Sequence, residues 1–180
     1  LTQDGNSLLF GDLKFKLGQQ GSYEGNVGLG YRFLTQGNWA IGLYGGWDYR
    51  NSDNDNGFHQ VSAGVEARSD SLDFRFNYYY PLSDEEYLKP GDNYDFGNFS
   101  IYRSGMYEEA MEGFDIEAGV LLPISDKWET RAYAAYYDFE SDATDVDLNG
   151  WRVRVETRPM QNLAIGVSYQ DDDYFDSQAA

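Results

Sequence analysis

Apolar and polar residues alternate along this chain with a period of two, and the pattern recurs about nine times. Between residues 25 and 34, Val27, Leu29, Tyr31 and Phe33 oppose Asn26, Gly28, Gly30 and Arg32. From 39 to 50, Trp39, Ile41, Leu43, Trp47 and Tyr49 oppose Ala40, Gly42, Tyr44, Gly46, Asp48 and Arg50. The same reading predicts strands near 9–17, 59–68, 72–80, 114–123, 128–139, 151–158 and 163–170. Connections at 35–38, 69–71, 125–127 and 160–162 are short, whereas 19–23, 51–58, 83–113 and 140–149 are longer. Short and long connections therefore alternate along one expected domain, residues 1–180.

The polar stripes carry the sharper information. They mix glycine with charges of both signs and are rich in arginine. A water-facing sheet has no need of this combination, but the crowded interior of a small barrel does. The apolar stripes end in amphipathic rings, the composition of an interfacial aromatic girdle. All-β antiparallel architecture as a transmembrane β-barrel, with about 9–10 strands visible, is the fold class expected. In that frame Leu29, Leu43, Phe74, Phe76, Val120, Val153 and Val167 face lipid. Arg32, Glu66, Arg75, Glu117, Arg131, Arg152, Arg154 and Glu156 line the lumen. Tyr31, Trp39, Trp47, Tyr49, Tyr80, Trp128 and Trp151 form the girdle.

Composition narrows the classes further. A formal net charge of −18 argues against nucleic acid as a partner. With no Cys and one His, a thiolate site, a multi-histidine metal centre and a His-based relay are not expected. Mean hydropathy is low at −0.64, yet 17% of residues are aromatic, which disordered chains are not. A barrel reconciles the two, because only alternate residues meet lipid.

Chemistry-bearing motifs are few. Asp145, Asp147, Asn149 and Gly150 followed by Glu156 match a calcium-loop pattern. The match is poor, since Arg152 occupies a position that is usually apolar and no helices flank it, so no metal site is expected. The carboxylate pairs Asp115/Glu117 and Glu108/Glu109 could do acid–base work. Lumen charges that need opposite partners explain them better. Neither an enzyme nor a cofactor is expected.

Certain words in the sequence form an ordered set: Gly25-Asn26-Val27-Gly28-Leu29-Gly30-Tyr31-Arg32, Tyr44-Gly45-Gly46-Trp47-Asp48-Tyr49, and His59-Gln60-Val61-Ser62-Ala63-Gly64-Val65-Glu66. Asn77-Tyr78-Tyr79-Tyr80-Pro81-Leu82 follows, then Tyr107-Glu108-Glu109-Ala110-Met111-Glu112-Gly113-Phe114-Asp115-Ile116. Their order and spacing resemble the β-domain of inverse autotransporters, the intimin/invasin family. That resemblance implies a Gram-negative outer-membrane barrel of about twelve strands with a periplasmic N-terminus. It also implies export of a C-terminal adhesin passenger in cell adhesion and secretion. The partners implied are outer-membrane lipid and lipopolysaccharide, the barrel-assembly machinery, and a passenger segment or partner chain that completes the wall. The alternatives are a structural or assembly barrel without a passenger, and a narrow pore. Fewer strands are visible than the family has, so an apparently truncated wall with two unpaired edges is expected. A weakly alternating stretch at 93–102 is the internal candidate for a further strand.

Overall fold

A computed structural model describes residues 2–18, 22–52, 54–84, 86–87, 102–104, 107–125, 127–141, 146–160, 163–173 and 178–179. In chain order the strands are β1 (Thr2–Asp4), β2 (Ser7–Leu17), β3 (Tyr23–Leu34), β4 (Ala40–Asn51), β5 (Gly57–Arg68) and β6 (Leu72–Pro81). Then come β7 (Glu86–Tyr87), β8 (Tyr102–Ser104), β9 (Tyr107–Glu109), β10 (Glu112–Leu122), β11 (Glu129–Ser141), β12 (Val146–Met160), β13 (Leu163–Asp172) and β14 (Gln178–Ala179). One antiparallel sheet runs β1-β2-β3-β4-β5-β6-β10-β11-β12-β13-β14, and β7-β9-β8 form a small second sheet. The large sheet curls around a cavity of about 590 Å³ lined by residues from β2 through β12, among them Phe10, Glu24, Arg75, Glu117 and Arg152. This is an all-β barrel fold whose wall is not closed: the edges of β2 and β13 pair only with the stubs β1 and β14. No described helix is long and apolar enough to cross a membrane.

Local chemistry sets the hairpins. At the β3–β4 turn, Asn38 adopts φ 59°, a region Asn tolerates, and the Asn38 and Thr35 amides donate to Thr35 and Trp39 carbonyls. At β5–β6 the Ser69 hydroxyl accepts from the Leu72 amide at 3.0 Å, closing a tight turn over Asp70 and Ser71. In the β4–β5 turn Asp55 takes φ 60° and its amide donates to the Ser52 carbonyl at 3.1 Å. Because side chains alternate with period two, each turn fixes which residues face inward along the hairpin.

The result is an inside-out distribution of polarity. Glu66 and Glu117 are 4% and 5% exposed, whereas Leu29 and Val167 are 62% and 65% exposed. Buried charge and exposed large apolar side chains are the informative departures from a water-soluble fold.

Several expectations about boundaries are corrected. The long connection expected at 140–149 shrinks, because β11 extends to Ser141 and β12 starts at Val146. Its Asp, Asn and Gly look like turn chemistry, but thirteen backbone pairs between β11 and β12 override local preference. The β4–β5 connection, Ser52–Asn56, is no longer than the β3–β4 connection, Thr35–Trp39, so the short/long contrast disappears there. Trp39 and Trp128 stand just outside strands rather than opening them. No wall strand lies between β6 and β10, which pair directly from Gly113↔Tyr79 to Val120↔Leu72. Residues 93–101 of the internal candidate lie outside the described residues. Tyr102 belongs to the small sheet instead.

Candidate functional site in the barrel interior

The strand registers stack inward-facing residues into rows. One row reads Arg32, Gly42, Glu66, Arg75, Glu117, Ala135, Arg152 across seven consecutive wall strands. Opposite charges alternate, and a small residue stands wherever a side chain must reach past a strand. Glu66 on β5 bridges over Gly42 on β4 to Arg32 on β3, where Arg32 Nε donates at 2.7 Å, and it also holds Arg68 Nε at 3.0 Å. Glu117 lies among three guanidinium groups, with Arg154 at 3.1 Å, Arg152 at 3.8 Å and Arg75 at 4.0 Å. Glu156 takes Arg154 at 2.9 Å and Arg158 at 3.0 Å. Arg131 joins Glu129 at 2.7 Å, Asp73 at 3.0 Å and the Asp70 carbonyl at 2.8 Å. All eight residues expected in the lumen thus lie on one face, each with an opposite charge within reach.

The neighbouring rows repeat the same reach with aromatic side chains. Tyr133 on β11 lies across Gly119 on β10 and its hydroxyl donates to Asp73 on β6 at 3.3 Å. Arg154 covers the other face of that ring, 4.0 Å from its centroid. Tyr137 crosses Gly150 to donate to Asp172 at 3.0 Å. Tyr44 crosses Gly64 to donate to Asn77, whose amide donates to Asp115 at 2.9 Å. Asp115 also accepts from Tyr79 at 2.8 Å. Both carboxylates of the Asp115/Glu117 pair are therefore held by donors in the wall. Tyr133 and Tyr137 share the parity of Arg131, and Tyr44 that of Gly42, so alternation puts all three on the inner face, but it does not show which glycine each one covers.

On the opposite face, Leu29, Leu43, Phe74, Phe76, Val120, Val153 and Val167 are all exposed. Trp47 and Tyr49 cluster with His59, at 5.3 and 4.8 Å between ring centroids, towards the β4–β5 turn. Trp39 stacks on Phe74 at the other end of the wall. Tyr31, Tyr80, Trp128 and Trp151 are exposed on the apolar side. The single His is thus one member of an outward aromatic cluster.

The calcium-like motif does not form a loop. Asp145 lies outside the described residues, while Asp147 and Asn149 are in β12, paired with Glu140 and Asp138. On one strand, odd-numbered Asp147 and Asn149 face away from even-numbered Glu156, so these ligands cannot converge. Among the described residues, no group of three or more His, Asp or Glu could hold a metal ion.

Alternation also missed a segment. Tyr107–Met111 folds inward at the end of the cavity remote from the short turns, and Glu108, Glu109, Ala110 and Met111 are buried there. The Glu108 carboxylate accepts from Ser52 Oγ at 3.0 Å and Asn56 Nδ2 at 2.8 Å. A polar, aperiodic run carries no signal for burial; a lone Met among glutamates is the single clue.

The family model described as "Inverse autotransporter, beta-domain" matches residues 1–180. No curated protein matches the chain. A solved structure from work on the mechanism behind the in-meso crystallization of membrane proteins matches at 18% identity with a TM-score of 0.71. The match covers 99% of this chain and 69% of that one, a likeness in fold.

Proposed function

The chain belongs to the inverse autotransporter β-domain family, and from that membership we propose that it anchors a passenger in the outer membrane and lets it reach the cell surface. An outer-membrane β-domain is what the family supplies; these domains serve secretion and adhesion and are not enzymes. One observation supports the finer reading most directly: a wall apolar outside and ion-paired inside, curled around a cavity of about 590 Å³. In this reading the exposed apolar stripes contact lipid and, at the surface end, lipopolysaccharide. The charged rows hold the inner wall rigid while an extended segment passes. The short-turn end is periplasmic, which puts the N-terminus there. The β2 and β13 edges are closed in the membrane by further paired strands, because each unsatisfied backbone group in hydrocarbon costs several kcal/mol.

The test uses the full-length natural polypeptide in outer membranes, with an epitope at each end. Antibody added to intact cells should reach the C-terminal epitope and miss the N-terminal one, which becomes reachable after permeabilisation. A C-terminal epitope that stays periplasmic would refute export.

A further inference from the structure

Connections between strands normally run over the surface, because burial strands their polar groups. The segment entering β10 breaks this rule abruptly. Tyr107 is 36% exposed, but Glu108 falls to 1% and Met111 to 2%. A glutamate is not taken out of water without partners, and two partners of Glu108 are Ser52 and Asn56 of the β4–β5 turn. The Met111 carbonyl accepts from Gln60 Nε2 of β5 at 2.9 Å. On the other side of β10, the Met111 side chain packs with Tyr137, Phe139 and Leu148 of the next strands β11 and β12, while Ala110 packs on Phe58. A short run of chain thus ties β4–β5 to β11–β12 across the cavity end. Among the described residues its strand, β9, pairs only with β7 and β8 and shares no ladder with the wall. The described contacts that seat it on the wall are the Glu108 carboxylate bonds, the Gln60 amide on the Met111 carbonyl and apolar packing, none of them a rung of the wall's ladders, so it can leave without opening the barrel.

We propose that Tyr107–Met111 is a displaceable plug that seals the long-connection end of the lumen, with Glu108 as its latch. The inference rests on the reading of the wall as a membrane barrel and is independent of export. When seated, the plug blocks ions and solutes; a segment moving through the lumen displaces it by taking its place against Gln60 and the Tyr137 cluster.

The test places the full-length protein in planar phospholipid bilayers, with insertion checked by heat-modifiable migration. Wild type should conduct little. Glu108→Ala should raise the conductance severalfold, and so should Gln60→Ala, which spares the carboxylate and guards against a folding defect in the first variant. In intact cells a membrane-impermeant thiol reagent should label Met111→Cys about tenfold more slowly than Tyr107→Cys. Inserted variants that conduct like wild type, or equal labelling at the two positions, would overturn the plug. A wild-type chain that never inserts would instead refute the membrane-barrel reading, and the plug with it.

Discussion

Replacing Gly119 with alanine tests the inner wall where an aromatic ring lies over a glycine. A Cβ built there falls 2.5 Å from both Cδ1 and Cε1 of Tyr133. Carbon atoms settle at about 3.5–4.0 Å, so the ring must lift by about 1 Å or more. It cannot lift freely. Arg154 lies on its far face at 4.0 Å and is itself held by Glu117 at 3.1 Å and Glu156 at 2.9 Å. Lifting also draws the Tyr133 hydroxyl away from Asp73, already at 3.3 Å. Overpacking of this kind costs about 1–3 kcal/mol, and a disturbed cation–π contact adds about 0.5–1 kcal/mol. Against this stands a gain of about 0.5–1 kcal/mol from removing glycine from a strand interior. The net expectation is a loss of about 1–3 kcal/mol. In a Tyr133→Ala background the obstacle is gone, and Gly119→Ala should become neutral or stabilising. Denaturant unfolding of the full-length barrel refolded in phospholipid vesicles measures both, as a double-mutant cycle. Equal costs in the two backgrounds, hence no coupling, would refute the packing argument.

Other perturbations separate the remaining claims. Glu117→Ala leaves three guanidinium groups facing one another in a poorly solvated wall. Removing one partner of a fully buried pair costs about 3–5 kcal/mol, and partial exposure of these arginines reduces the expectation to about 2–3 kcal/mol. Glu117→Gln should lose nearly as much, and a wild-type unfolding midpoint in either would show the arginine cluster to be independently solvated. Leu43→Arg and Val153→Arg should each cost about 2–4 kcal/mol in vesicles if these positions sit near the bilayer midplane; unchanged folding into lipid would reverse the assigned parity. A fluorophore on cysteine at Arg32, Arg75 or Arg152 should resist a lipid-borne nitroxide that quenches one at Leu29 or Val167, and the opposite pattern would exchange inside for outside.

Most of the wall was legible because a barrel strand has one physical requirement that shows in a single sequence. Each must offer alternate residues to two different environments, so Val153 and Val155 against Arg152, Arg154 and Glu156 already reveal both faces. Strand ends were less legible. Residues 146–150 read as turn chemistry, yet they form strand because the whole of β11 is available to pair with them. Burial of Glu108 and Met111 was not legible at all. It depends on Ser52, Asn56 and Gln60, distant in sequence, and on a mouth whose width only the assembled wall defines. Local pattern reports which face a residue takes; it says nothing of what crosses the space between walls.

The inner glycines connect these observations. Adjacent strands lie about 4.8 Å apart, so residues two strands away are separated by about 9.5 Å in a flat sheet. Glu66 to Arg32, Tyr133 to Asp73 and Tyr137 to Asp172 all make that double step. Each does so over a glycine, because any intervening side chain would block the path. Such contacts draw alternate strands together on the inner face only, and a sheet tightened on one face curls towards it. The charged and aromatic bridges therefore help to set the curvature of the wall as well as neutralise one another. Where glycines are left uncovered, the interior stays open. Gly28 meets nothing nearer than the Gly45 carbonyl at 3.5 Å, and Gly46 faces only the small Ser62 hydroxyl at 2.9 Å and backbone beyond it. Gly28, Gly45, Gly46 and Ser62 all line the cavity. The same device, applied on some strands and withheld on others, fills one part of the barrel and leaves the cavity in the rest.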